Sequence, residues 1–549
     1  MLASGAVALL VLAPLLALAW TAAQGSDGLW SHLAAYVLPR AGLNTLLLLA
    51  GVGTLCALLG TGSAWLVTAY DFPGRGALSW ALLLPLAMPT YIIAYAYLDL
   101  LHPLGPVQTA LRGVLGIASP RDFRLPDIRS LAGCILLLGF VLYPYVYLTT
   151  RALFLTQAGS LLEAARSLGV TQAGLFRRVA LPLARPAIAI GMALALLEAL
   201  NDIGASEFLG VQTLTVAVYT TWVTRSDLPG AAQIALGMLV LVLLLVVLER
   251  YGRRRQRYAT AQRPRPMAPR RLRGAAAACA LALGLLPVAL GFLLPAAYLL
   301  HASLARLRSH GVSPQLLDSA GNTVWVATLA TLATVLAGLV VAWALRLAQA
   351  RRRPGLAAAS LRVASLGYAV PGTVLALGLL LPLSVFDVGA GTVLRAFGGE
   401  PRMLLMGSVA ALVIAYMLRF LAISAGSTEA GLARVPASLD QAARSLGEGS
   451  GGMLRRVHLP LLRPALAAGA LLVFVDAMKE LPATLMLRPV NFETLATWLY
   501  ADAARGAYED GAIAALLIVL AGLLPVLLLA RSGVAHGRMA APGGEDANP

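Results

Sequence analysis

The sequence is poor in charge, poorer still in acid, and nearly without lysine. Only 12% of its 549 residues are charged, 59% are hydrophobic, and the mean hydropathy is +0.79. A soluble domain carries about 25% charged residues, so this composition excludes one. Lysine occurs once, at Lys479, followed by Glu480 in an apolar run. That excludes an in-chain ATPase of the P-loop kind, whose GxxxxGK[ST] needs a lysine to reach the β/γ-phosphates. Cysteine is scarce too. Cys56, Cys134 and Cys279 each sit in an apolar run with no CxxC or metal-ligand spacing, so packing is their expected role. The net charge of +17 reads as arginine retained in cytoplasmic loops, not as a nucleic-acid surface.

What the chain has in abundance is long apolar runs. A membrane span needs about 20 mostly apolar residues. Runs centre near Leu12, Thr54, Pro89, Leu138, Ala195 and Leu241, and again near Pro287, Val335, Leu375, Val413, Phe474 and Val519. The expected fold is therefore all-α and polytopic, about 12 transmembrane helices in two homologous six-helix halves. The first run, Ala3 to Ala23, lacks the positive n-region of a signal peptide and is long enough to span, so it reads as a retained helix. The expected organisation is a first half over 1–250, a basic linker over 251–273, a second half over 274–535 and a polar tail over 536–549. The linker holds Arg253, Arg254, Arg255, Arg257, Arg263, Arg265, Arg270, Arg271 and Arg273, which places it in the cytoplasm. Both termini then lie in the cytoplasm, as do the loops that follow even-numbered spans. The opposite segment 102–129 contains Pro103, Pro106, Pro120 and Pro126 and is expected to be irregular, with room for a short interfacial helix.

Two polar islands interrupt this apolar chain. They are offset by 278 residues, the difference between 441 and 163, and align without a gap. One reads EAARSLGVTQAGLFRRVALPLARP from Glu163, the other QAARSLGEGSGGMLRRVHLPLLRP from Gln441. Both fall between the fourth and fifth spans of their half, within 158–186 and 436–464. In the first, Gly169 is suited to a left-handed helix end and Thr171 to a cap. Leu181-Pro182 is expected to end a second short helix, leaving Pro186 in the first turn of span five. Leu162, Ala165, Leu168, Leu175 and Phe176 form a candidate apolar knob rimmed by Arg166, Arg177 and Arg178. An ordinary basic loop would have no reason to recur in register.

The islands resemble the EAA loop of ABC importer permeases: Glu-Ala-Ala, a glycine further on, then Leu-Pro. The resemblance covers both halves. It implies that the loops couple to a cytoplasmic ATPase through Glu163, Ala164, Ala165, Gly169, Leu181 and Pro182 in the first copy. In the second copy the matching residues are Gln441, Ala442, Ala443, Gly447, Leu459 and Pro460. The second copy departs from the pattern, with Gln441 in the acidic position, Asp440 just before it, and Gly449, Gly451 and Gly452 expected to loosen its helix. The implied partners are two copies of an ABC ATPase subunit, a periplasmic solute-binding protein and membrane lipid, with no nucleic acid. The implied location is the bacterial inner membrane. No catalytic residue and no cofactor are expected in this chain, ATP and Mg being bound by the partner ATPase.

Ionisable residues inside spans mark functional sites by default. Span eleven carries Asp476, Lys479 and Glu480, and Lys479 can pair with Asp476 at i, i+3. Span five carries Glu198, Asn201 and Asp202, with Glu207 beyond; Asn201 aligns with Lys479 and Asp202 with Glu480. These six residues are candidates for a translocation pathway or gate, or for a network pinning the halves together. Asn201, Asp202, Lys479 and Glu480 lie roughly 22–24 Å along the helix from Pro186 or Pro464, toward the outer leaflet. No metal site is assigned. Pro85, Pro89 and Pro371 are expected chiefly to shape packing.

Finer resemblance lies in Lys479-Glu480-Leu481-Pro482-Ala483-Thr484, Leu84-Pro85-Leu86-Ala87-Met88-Pro89, Tyr368-Ala369-Val370-Pro371-Gly372 and Glu198-Ala199-Leu200-Asn201-Asp202-Ile203-Gly204. These are similar to fused ferric-iron ABC permeases, which implies transport of ferric iron. Related permeases carry thiamine, polyamines, sulfate or phosphonates. An ion-coupled secondary transporter, which would need no coupling loop, is the rival from another class.

Overall fold

The computed structural model describes residues 2–26, 28–117, 119–157, 165, 167–254, 269–350, 355–506 and 511–539. They form an all-helical, multi-pass membrane protein; the one sheet is a two-residue parallel pair, Tyr70–Asp71 with Arg270–Arg271. Among the described residues, ten helices are long and apolar enough to cross a membrane. They are Leu2–Ala23, Leu29–Ala69, Leu131–Leu155, Leu175–Asn201 and Leu228–Glu249, then Gly274–Ser309, Pro314–Ala350, Gly372–Ala396, Val409–Ala433 and Ser450–Met478. An eleventh candidate is broken: Arg75–Ala87 and Thr90–Leu100 meet at a 92° bend. The last run lies on Ala512–Met539, whose apolar part, Ala512–Leu528, is shorter than these spans. All twelve apolar centres thus fall on helix or on the broken pair, numbered here span one to span twelve in chain order.

The two halves repeat the same packing. Span two lies along span four and span eight along span ten; span four packs on span five and span ten on span eleven. Glycine enables the first contact in both halves. A Cβ on Gly60 would stand 2.8 Å from the carbonyl oxygen of Tyr143, and one on Gly338, 278 residues later, 2.9 Å from the amide of Ala425. Lipid offers no hydrophobic drive to helix pairing, so close backbone approach and its dispersion energy supply the adhesion. Span one crosses over to pack on span nine, and span seven leans on the second segment of broken span three. Each half therefore embraces the other, and one apolar core runs from Val11 to Val526.

Among the described residues, four helices contain a π-helical turn: Leu33–Val37, Leu175–Ala180, Ala289–Leu293 and Leu454–His458. Each is followed at once by Leu-Pro, at Pro39, Pro182, Pro295 and Pro460. This corrects the expected helix stop at Leu181-Pro182. Proline lacks an N–H and clashes with the carbonyl four residues back; the extra residue of a π turn moves that carbonyl out of register, so the helix continues. Span five accordingly runs unbroken through Pro186, and span eleven through Pro464, as internal prolines. Pro85 and Pro89 do more than shape packing. They flank the bend of span three, where Pro89 takes an extended ψ of 145°.

Segment 102–129 contains one helix, Pro106–Leu115, with proline in its first turn and Gly116 in the left-handed conformation at its end. On the other side, Asp71 lies 3.7 Å from both Arg75 and Arg271, and the Leu272 amide donates to the Asp71 carbonyl at 2.8 Å. The loop after span two and the end of the linker therefore share one face of the bundle.

Candidate functional site

Spans five and eleven both end in a break, and the breaks build the site. Span five stops at Asn201; Asp202 is extended, and a short helix, Gly204–Phe208, follows. Span eleven stops at Met478, and the short helix Pro482–Leu487 follows Lys479, Glu480 and Leu481. The carboxylate in each gap caps the next helix. Asp202 accepts from the Ser206 amide at 2.8 Å, the Ser206 hydroxyl at 3.0 Å and Thr90 Oγ1 at 2.6 Å. Glu480 accepts from the amides of Ala483 and Thr484, both at 3.1 Å, and from Thr484 Oγ1 at 2.9 Å. Both carboxylates are buried, so these bonds replace the water that each has lost.

Beyond each break the chain returns under a repeated clamp. Asn44 Nδ2 donates to the Gln212 carbonyl and Asn322 Nδ2 to the Glu493 carbonyl, both at 3.0 Å. Thr45 Oγ1 receives the Leu214 amide at 2.9 Å and Thr323 Oγ1 the Leu495 amide at 2.8 Å. The dipeptide Asn-Thr thus recurs 278 residues apart with the same duty.

Between the breaks lies a cavity of about 130 Å³. Its wall holds all six pathway candidates, Glu198, Asn201, Asp202, Asp476, Lys479 and Glu480. Lys479 pairs with Asp476 at 2.8 Å. Further polar residues join them. Arg419, from the middle of span ten, holds Glu480 at 2.9 Å. Tyr368 donates to Glu198 at 2.9 Å and so bridges the halves, as does Tyr91, which donates to the Lys479 carbonyl at 3.2 Å. Tyr145 completes the polar wall. Four carboxylates face two cations, and among the polar side chains of the lining oxygen outnumbers nitrogen. The Asn201 side-chain oxygen has no partner. Among the described residues no three His, Cys, Asp or Glu side chains are grouped to hold a metal ion.

Arg419 was absent from the sequence candidates, although a lone arginine in the apolar run of span ten was a signal in plain view. Glu207, beyond the cavity, accepts from Tyr500 of the second half at 2.5 Å, and Phe208 stacks on Tyr500 with ring centroids 5.5 Å apart.

Of the polar islands, Glu163 and Ala164 lie outside the described residues. Ala165 packs against the core, and Gly169 has a φ of +77° with the Val170 amide bonded to the Ala165 carbonyl at 3.2 Å. Gly447 has a φ of +80°, and the Glu448 amide reaches the Ala443 carbonyl at 2.9 Å. Both are Schellman-type helix ends, which need a residue free to adopt positive φ. Thr171 caps the next helix by accepting the Gly174 amide at 3.3 Å. Leu168 and Leu446, equivalent by the repeat, are 83% and 84% exposed. Leu175 and Phe176 do not join such a knob. Leu175 is fully buried and Phe176 packs on Trp65, since the π turn carries that face inward. In the second island the short helix Ala437–Ser445 forms despite the glycines, which fall after it. Gln441, Ala442 and Gly447 are exposed, Ala443 is buried, Leu459 is half-buried and Pro460 exposed; Leu181 and Pro182 are half-buried.

Two like halves around a cavity lined by charged side chains, with no nucleotide-binding motif, define a membrane transport permease. The sequence comparisons give the family. The model of the binding-protein-dependent transport system inner membrane component matches residues 56–258 and again 334–534, and the chain belongs to that family. It is the transmembrane component of an ABC importer and not an ATPase. Similar proteins include an Fe(3+)-transport system permease of Haemophilus influenzae, 26% identical over 88% of each chain. A probable molybdenum ABC transporter permease of Haloferax volcanii is 30% identical over 43% of this chain and 82% of its own. A putative 2-aminoethylphosphonate permease of Salmonella typhi is 29% identical over 44% and 89%.

Proposed function

We propose that this permease carries ferric iron, delivered by a periplasmic binding protein and driven by two copies of a separate cytoplasmic ABC ATPase. The observation that carries the iron reading is the span of the similarity. The ferric-iron permease matches over 88% of both chains and so shares the fused two-half organisation, whereas the molybdenum and phosphonate permeases are shorter chains, matched over 82% and 89% of their own length but less than half of this one. The chemistry of the cavity supports it, because carboxylate, amide and phenol oxygens suit a hard cation.

In this reading the two islands are the ATPase contacts, with exposed Leu168 and Leu446 at their tips. The linker, the islands and both termini face the cytoplasm of a bacterial inner membrane. The cavity between spans five and eleven is the pathway, and Glu207, Phe208 and Tyr500 close it on the far side. ATP drives transport only through differential affinity for the inward- and outward-open states.

The test is uptake of radiolabelled iron, thiamine and 2-aminoethylphosphonate in a strain deleted for this gene and in the complemented strain. Restoration of iron uptake alone is expected. Restoration of another solute without iron overturns the iron reading and leaves the permease class standing.

A further inference from the structure

Beneath the second polar island lies a buried polar cluster that the pathway does not use. Asp440, on the helix Ala437–Ser445, accepts from Arg346 Nε at 3.0 Å and bonds His458 Nε2 at 2.8 Å. The same guanidinium donates to the Leu432 carbonyl at 3.2 Å and to the Val435 carbonyl at 2.9 Å. The side chains of Arg346, Asp440 and His458 are 15%, 8% and 0% exposed. His458 also packs on Trp343 at 4.9 Å between ring centroids. Arg346 therefore ties span eight to the end of span ten and to the island helix, and Asp440 ties that helix in turn to the start of span eleven.

The first half cannot build this cluster. The residues 278 positions earlier are Thr68, Leu162 and Ala180, none of which carries charge. Asp440 is thus no stand-in for the glutamate missing at Gln441. It turns inward, while Gln441 and Ala442 stay on the surface.

We propose that Arg346, Asp440 and His458 are positioning residues that make the second island a rigid lever. Displacement of its helix by the ATPase passes directly to span eleven, which carries Asp476, Lys479 and Glu480 at its far end. A buried ion pair contributes little net stability against an apolar replacement, but it fixes one geometry because its loss leaves a charge unpaired. The first island has no charged residue at the three equivalent positions, so the halves couple unequally. This inference rests on the reading of the islands as ATPase contacts.

The test uses the whole transporter, permease with ATPase subunit and binding protein, reconstituted in vesicles. Asp440→Asn keeps volume and an acceptor; Arg346→Lys keeps charge but loses the fork that reaches two carbonyls. Each is scored for co-purification of the ATPase subunit, for ATP hydrolysis, and for solute taken up per ATP. The expected result is normal co-purification and hydrolysis with uptake per ATP lowered at least about fivefold, the scale of a typical inter-site coupling. The double variant should be no worse than either single one, because the groups act as one unit. His458→Gln, which can still donate to Asp440, should retain more coupling than His458→Ala. Unchanged uptake per ATP, additive effects, or loss of the ATPase subunit from both single variants overturns the lever. An ATPase subunit that fails to co-purify with the unaltered permease overturns the underlying reading instead.

Discussion

At the residue scale, the site is governed by how buried carboxylates find partners. Glu480 has two amides, a threonine hydroxyl and Arg419. Replacing Arg419 with methionine leaves that buried carboxylate without its ion-pair partner, which should cost about 3–5 kcal/mol. Adding Glu480→Gln should recover much of the loss, and thermal unfolding of the purified permease in detergent measures both. Equal destabilisation by the single and double variants would remove Arg419 from any role in balancing Glu480. The pairing of Asp476 with Lys479 was legible from their spacing, because i, i+3 neighbours share a helix face. The pairing of Arg419 with Glu480 was not, since it joins two helices. The capping duty of Asp202 and Glu480 was equally hidden. It exists only because the helix breaks there, and an apolar run gives no sign of an interruption.

At the element scale, apolar run length located the helices and proline misled about their ends. Each of the twelve apolar centres falls on a helix or on the broken third span, because the bilayer leaves backbone few other ways to satisfy its polar groups. Leu-Pro was expected to stop the island helix, yet π turns carry the chain through Pro182 and Pro460. The 92° bend of span three went the other way, a real break where ordinary packing was expected. The glycine end of the first island was legible from a single residue type, because positive φ is disfavoured for residues with a Cβ, and Gly447 repeats it in the second. Replacing Gly447 or Gly169 with leucine strains that end by roughly 1–2 kcal/mol. Each change should reduce capture of the ATPase subunit by the tagged permease, and the pair together should abolish it. Full capture by the paired variant would mean that the islands are not where the ATPase binds.

At the scale of the whole molecule, the repeat is a scaffold on which the halves diverge. Gly60 and Gly338, the Asn-Thr clamps, the helix-capping carboxylates and the glycine ends all recur in place. The differences gather on one side. The second half alone has Lys479 with Asp476, Arg419 with Glu480, and the Arg346–Asp440–His458 cluster. The sequence made the duplication plain, but the way span one embraces the other half was not readable, because apolar side chains on a span do not name their neighbour. In the proposed function this cavity is opened by ATP acting through the islands. The most direct test of that reading is solute uptake into vesicles holding the permease, its ATPase subunit and the loaded binding protein, with MgATP compared against MgADP and against imposed proton or sodium gradients. Uptake with MgATP alone, lost when Gly169 and Gly447 are both replaced by leucine, is the predicted result. Gradient-driven uptake by the permease without ATP or its ATPase partner would contradict it.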